Sequence, residues 1–120
     1  MLINLTNHPS SLWCSKQLEA AHIYGVILDM PFPSIDETGD EAYIKTIADE
    51  YLKKILVYTR DKSVTVHLMG ELTFTYALLK RLQSFSIPCI ASTSKRIVKE
   101  ESIGKKAEVI FQFERFRCYE

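Results

Sequence analysis

Neither sign of charge dominates this sequence. Fifteen basic residues balance fifteen acidic ones, so no whole-protein field draws in DNA or an anionic membrane. An anionic ligand has to be attracted by a local cluster. Cysteine is scarce, and Cys14, Cys89 and Cys118 form neither a CxxC pair nor a His/Cys metal pattern. Three widely spaced thiols fit a reduced, cytoplasmic protein with no metal and no cofactor. No apolar run approaches the roughly 18 residues of a membrane span. The opening Met1-Leu2-Ile3-Asn4-Leu5-Thr6 lacks the basic and long apolar regions of a secretory signal. Internal repeats, low-complexity segments and linkers are also missing, which leaves a single domain over residues 1–120.

What is there suits a packed core: 47% of residues are hydrophobic and 25% charged, as in ordinary globular proteins. Leu2, Ile3 and Leu5 read as a strand entering a polar loop. Cys14, Leu18 and Ala21 recur at helical spacing, with Gly25 as a C-terminal cap. Val26, Ile27 and Leu28 read as a second buried strand. Thr38 and Glu41 have capping-box spacing, and Asp36 and Asp40 also favour a helix start. Behind them Ile44, Ile47, Ala48, Tyr51, Leu52 and Ile55 form one apolar stripe, predicting a helix over about residues 39–58.

Val64 to Met69 is a β-branched run ending at Gly70. A helix with Phe74, Ala77, Leu78 and Leu82 inside follows, and then a fourth strand over residues 87–91. This alternation predicts an α/β fold, with a Rossmann-like, mostly parallel sheet and helices on both faces. Ile97-Val98 and the alternating Ala107, Val109, Phe111 and Phe113 flank a polar turn containing Gly104. They predict a C-terminal antiparallel β-hairpin.

Such sheets bind ligands beyond the carboxyl ends of their strands, near helix N-termini that favour anions. Three polar segments are expected there: Asn7-His8-Pro9-Ser10-Ser11, Gly70-Glu71-Leu72-Thr73 and Ser92-Thr93-Ser94-Lys95-Arg96. Gly70 permits close backbone approach, and hydroxyls with Arg96 suit a phosphate. Each has a plainer reading too. Asn7, Ser10 and Ser11 fit caps of the first helix, and His8 fits a solvent-exposed loop residue. Gly70 suits a tight strand-to-helix turn, and Ser92, Thr93 and Ser94 suit turn formers. His67, between Val66 and Leu68, reads as a hydrogen-bonded core histidine. Arg115 and Arg117, alternating with Phe113 and Tyr119, fit a strand's solvated face as well as ligand contacts. Trp13 reads as a core or dimer-interface anchor. The absence of GxGxxG, a Walker loop and a nucleophile elbow argues against a dinucleotide coenzyme or a nucleoside triphosphatase.

In layout the chain resembles the small CRISPR-associated accessory proteins of type III systems, compact CARF-like proteins that act as ring nucleases. The first strand with Asn7-His8-Pro9 is similar to that family's Ser-His loop. Gly70 through Tyr76 is similar to its glycine and Thr-Tyr helix start. Ala91 through Arg96, followed by Phe113-Glu114-Arg115-Phe116-Arg117-Cys118-Tyr119, resembles a Thr-Thr-x-Arg segment leading to a terminal Arg-Phe-Arg-Glu-Tyr. The sequence departs from that pattern at Ser94 and Lys95, and at Cys118 in place of glutamate.

The resemblance implies binding and cleavage of a cyclic oligoadenylate, switching off type III antiviral signalling, with cyclic tetra-adenylate the expected ring. Cleavage would follow metal-independent attack of a ribose 2′-hydroxyl on its adjacent phosphate. His8 would transfer a proton and Arg96 would act at the phosphate. Asn7, Ser10, Ser11, Gly70, Thr73, Ser92, Thr93, Ser94, Lys95, Arg115 and Arg117 would contact the ligand. A two-fold symmetric ring also implies a homodimer. Because of the departures, a non-catalytic sensor or sequestering protein is the alternative. A structural or interaction protein whose loops only cap helices is the second alternative.

Overall fold

In the computed structural model, which describes residues 1–99 and 108–120, five strands form one sheet. They are β1 (Leu2–Leu5), β2 (Ile27–Asp29), β3 (Thr65–Leu68), β4 (Cys89–Lys99) and β5 (Glu108–Cys118). Their spatial order is β2-β1-β3-β4-β5. The first four run parallel, and β5 pairs antiparallel with β4. Three α-helices connect the parallel strands: α1 (Ser15–Ala21), α2 (Glu41–Tyr58) and α3 (Leu72–Ser84). The fold is therefore α/β with a mostly parallel sheet and a C-terminal antiparallel hairpin, as the alternation of patterns implies. The hairpin turn at Gly104, with Ala107, lies outside the described residues.

The strand order explains the two layers. β1→β2 moves one way along the sheet, whereas β2→β3 and β3→β4 move the other. Crossovers of one hand then put α1 on one face and α2 with α3 on the opposite face. Side-chain parity follows. Ile3, Leu5, Val66, Leu68 and Cys89 pack with Ala48 and Ile55 of α2 and Phe74, Leu78 and Leu82 of α3. Leu2 and Ile90 face the other way, into a smaller cluster with Trp13, Ala21, Phe113 and Phe116.

Several element ends differ from the sequence expectation. β2 begins at Ile27 and is an edge strand, only partly buried, while Val26 is exposed. The capping box of Thr38 and Glu41 does not form. Asp40 is the N-cap of α2, accepting from the Tyr43 amide at 3.0 Å, and Thr38 instead folds back onto Asp36. The largest difference is in β4. It does not end at Ala91 before a polar loop but runs on through Ser92–Arg96 to Lys99. Pairing with β5 satisfies that backbone residue by residue, with a bulge beside Thr93 and Ser94. Gly25 does end the α1 segment, after a turn of 3-10 helix, and its φ of +95° explains the glycine.

The large cluster dominates the packing, so truncation there should be felt in full. Leu78→Ala, at a fully buried position on α3, is expected to cost about 2–5 kcal/mol. Urea unfolding against the unsubstituted protein checks this.

Candidate functional site

In a 2-1-3-4 sheet the chain turns in opposite directions from β1 and β3, leaving a crevice at their carboxyl ends. Asn4 of β1 and His67 of β3 are register partners at this point, both almost fully buried. The Asn4 amide group donates from Nδ2 to Asp29 Oδ1 of β2 (2.8 Å) and to the His8 carbonyl (2.9 Å). Both are pure acceptors, which fixes the amide's orientation. Asn4 Oδ1 therefore faces His67 Nδ1 at 3.0 Å as the acceptor, and the imidazole carries its proton on Nδ1. His67 Nε2 is left as a bare lone pair with no partner among the described residues.

The loop after β1 is tied to the same group. The His8 carbonyl also accepts from Trp13 Nε1 (3.2 Å), and the His8 amide donates to Thr6 Oγ1 (3.1 Å). The Ser10 amide and hydroxyl donate to the two oxygens of Asp29, at 3.0 and 2.7 Å. Burial alone would raise the pKa of Asp29. The hydrogen bonds from Asn4 and Ser10 outweigh it and hold the carboxyl below its ordinary range. Trp13, placed by this loop, stands edge-on to His67 with ring centroids 5.5 Å apart.

A cavity of about 550 Å³ opens beside these groups. Its wall brings together five of the sequence candidates: Asn7, His8, Gly70, Ser92 and Ser94. The Ser92 hydroxyl and amide donate to the Met69 thioether, at 3.2 and 3.3 Å. Thioether sulfur is a weak acceptor, so this hydroxyl is readily exchanged to a ligand. Gly70 lines the cavity and also touches the Phe32 ring, which a Cβ would strike. Its smallness therefore serves packing as well as access.

Other candidates lie elsewhere. Ser10 neither caps α1 nor faces the cavity, because Asp29 holds it, and neither Ser10 nor Ser11 is in the cavity wall. Thr73 stands at the start of α3, where the Glu71 carboxylate accepts from the amides of Thr73 (3.1 Å) and Phe74 (2.8 Å). Hydrogen bonding, chiefly from the Phe74 amide, lowers the Glu71 pKa. A carboxylate thus occupies the place an anion would take at that helix N-terminus. Strand alternation puts Thr93 and Lys95 on the sheet face opposite Ser92 and Ser94, together with Arg115 and Arg117, the register partners of Thr93 and Ala91. Arg96 shares the cavity's face but lies one pleat beyond Ser94, opposite Phe111.

Sequence reasoning missed Asn4 and Asp29, and read His67 as a hydrogen-bonded core histidine and Trp13 as a core or dimer-interface anchor. The available signal was a polar residue inside each of two apolar parallel strands, where an unpaired polar group is costly. A larger depression of about 770 Å³ lies between the starts of α2 and α3. Its helix amides are already capped by Asp40 and Glu71, and its charges are of mixed sign. Among the described residues no group of three His, Cys, Asp or Glu side chains could hold a metal ion. No helix there is long and apolar enough to cross a membrane.

Fold and site together define a Rossmann-like α/β domain with an open cavity at the topological switch point. The chain belongs to the Uncharacterized protein MJ1673 family, whose model matches residues 1–117. No curated protein and no solved structure matches it.

Burial, with a smaller contribution from His8, pushes the His67 pKa down from 6.5 to about 4. The unfolded chain then binds this proton more tightly than the folded one. The stabilisation is complete above about pH 6.5 and is lost as pH falls towards 4. Between pH 7 and pH 5 the loss should be about 2 kcal/mol. Urea unfolding at the two pH values measures it, and His67→Phe should flatten the slope.

Proposed function

We propose that the protein binds a cyclic oligoadenylate in the switch-point cavity and opens the ring, as a ring nuclease of type III CRISPR signalling. The observation that carries this reading is the convergence of an exposed imidazole (His8), two serine hydroxyls and a glycine turn on one cavity at the sheet's carboxyl edge. In the reaction the ribose 2′-oxygen bonds to the adjacent phosphorus as the bond from phosphorus to the 5′-oxygen breaks. The 2′-hydroxyl gives up its proton and the departing 5′-oxygen gains one. His8 would move a proton in this exchange. Ser92 and Ser94 in the cavity wall, with Arg96 one pleat further out on the same face of β4, would hold phosphate. The work asked of the protein is alignment and charge stabilisation. The reading places this activity in the cytoplasm, where its three cysteines stay reduced.

A cavity of about 550 Å³ falls within the roughly 300–1,000 Å³ that holds a drug-sized ligand. It suits part of a ring rather than the whole. The proposed homodimer supplies the rest. Phe111, 68% exposed, continues the apolar stripe of Phe116 and Phe113 beyond the cover of α1, with Val98 and Val109 also exposed. These residues lie on the cavity's face of the β4–β5 ribbon, where a second copy would cover them.

One observation favours a second reading, binding without cleavage. No Lys or Arg is among the described residues of the cavity wall. A sensing or sequestering protein for the same ligand needs less charge at the phosphate than an enzyme does.

Incubation with cyclic tri-, tetra- and hexa-adenylate in excess chelator tests the first reading. Linear products ending in a 2′,3′-cyclic phosphate are expected, resolved by chromatography with tandem mass spectrometry. His8→Ala should slow turnover about 100-fold or more while changing binding little. Activity that vanishes with chelator and returns with magnesium or manganese would overturn the mechanism, and stoichiometric binding without turnover would select the second reading.

The dimer is tested separately. Light scattering at micromolar concentration should give twice the chain mass, and Phe111→Lys should give a monomer.

A further inference from the structure

As a core residue, His67 leaves one atom unexplained. The side chain is 2% exposed, yet Nε2 has no hydrogen-bond partner among the described residues, an uncommon condition for a buried polar atom. A ring flip cannot satisfy it. Trp13 and Phe116 hold the imidazole edge-on from two sides, with centroids 5.5 and 5.2 Å away. A flip would also forfeit the bond to Asn4. Nor can Asn4 turn to offer its amine, because both amine hydrogens are committed to Asp29 and His8. The surrounding hydrogen bonds therefore fix one tautomer in one orientation, with an acceptor-only atom in a residue of the cavity wall.

The wall is divided in character. Trp13, Met69, Phe111 and Phe113 make an apolar side that suits a planar ring, and Asn7, His8, Ser92 and Ser94 make a polar side that suits ribose and phosphate. We propose that His67 selects the base of the bound nucleotide, its Nε2 accepting a hydrogen bond from the exocyclic amine of a 6-aminopurine. This rests on the cavity holding a nucleotide, as proposed above, and makes His67 a specificity-determining residue. An acceptor without donor capacity discriminates by sign. A 6-amino group donates to it, an unsubstituted purine offers only C–H, and a 6-oxo group sets lone pair against lone pair. Nε2 is closed to water in the unliganded fold, and in this proposal the base reaches it by displacing the edge of Trp13, which packs on the imidazole from the cavity wall. That side chain is the chain's one tryptophan, so its emission reports the event directly.

The test is a Trp13 fluorescence titration with adenosine, purine riboside and inosine 5′-monophosphates. Wild-type protein should bind the adenosine form about 10- to 100-fold more tightly than either analogue, the range expected when a buried polar group loses its partner. In His67→Phe, which keeps an aromatic ring, the ratio should fall towards one through loss of adenosine monophosphate affinity alone. Equal wild-type affinities, no response to adenosine monophosphate, or an unchanged ratio in a folded His67→Phe protein would each overturn the proposal. Should that variant not fold, the nitrogen-15 resonance of wild-type His67 Nε2 decides. It should move to its hydrogen-bonded position with adenosine monophosphate and stay put with the purine analogue, and no difference between the two would overturn the proposal. Base selection without ring binding would sink the ring nuclease reading and leave this subsite standing. Ring cleavage indifferent to His67 would do the reverse.

Discussion

The hydrogen bonding of one buried amide, that of Asn4, determines how this domain is put together at its carboxyl edge. Its two amine hydrogens go to Asp29 of β2 and to the His8 carbonyl, and its oxygen accepts from His67 of β3 and lies 3.0 Å from Thr6 Oγ1. All four of its hydrogen-bonding positions are used. Three strands and the loop after β1 therefore share one side chain. Removing it would strand the buried imidazole N–H and take one donor each from the Asp29 carboxylate and the His8 carbonyl, a larger loss than any single hydrogen bond. The loop's shape follows, since His8 is tied to Asn4, Ser10 to its partner Asp29, and Trp13 to the His8 carbonyl.

The cavity has an equally simple origin in helix length. At 1.5 Å per residue, α2 with its 18 residues spans about 27 Å, whereas α1 with seven spans about 10 Å. The face under α2 and α3 is covered and dry. The α1 face is covered only as far as Trp13, Ala21 and Phe116 reach. Beyond that limit the sheet is open at Ser92 and Ser94, while Asn4 and His67 alternate onto the same face at the covered margin. The same alternation that gives one face a core gives the other a site.

Most of the fold was legible because it rests on periodicity. The stripe from Ile44 to Ile55 and the run from Val64 to Met69 each permit one structure, and both are found. The site was less legible, for a specific reason. A Ser-Thr-Ser-Lys-Arg segment has the composition of a loop, and only its pairing with β5 makes it a strand. That pairing connects residues more than ten positions apart, so local sequence does not encode it. Once the segment is a strand, alternation sends Ser92, Ser94 and Arg96 to one face and Thr93 and Lys95 to the other, dividing what composition had grouped. Ser10 shows the same limit. Its composition fits a helix cap, but a partner in β2 takes it.

The charge distribution links the proposed site to the proposed dimer. The cations expected around the ligand are mostly turned away. Lys95, Arg115 and Arg117 lie on the opposite face of the ribbon, and Glu71 occupies the α3 N-terminus. Arg96 is on the cavity's own face, opposite Phe111 on the part of the ribbon that extends past α1. A nucleotide held by its base at His67 would therefore have its phosphate drawn outward along β4 and not inward to the helix. Outward is also where Phe111, Val98 and Val109 lie uncovered. In the proposed assembly the ribbon would thus both grip phosphate and meet the second copy. Base recognition would belong to the buried hydrogen-bond group of each protomer, and phosphate contact to the surface that the two protomers share.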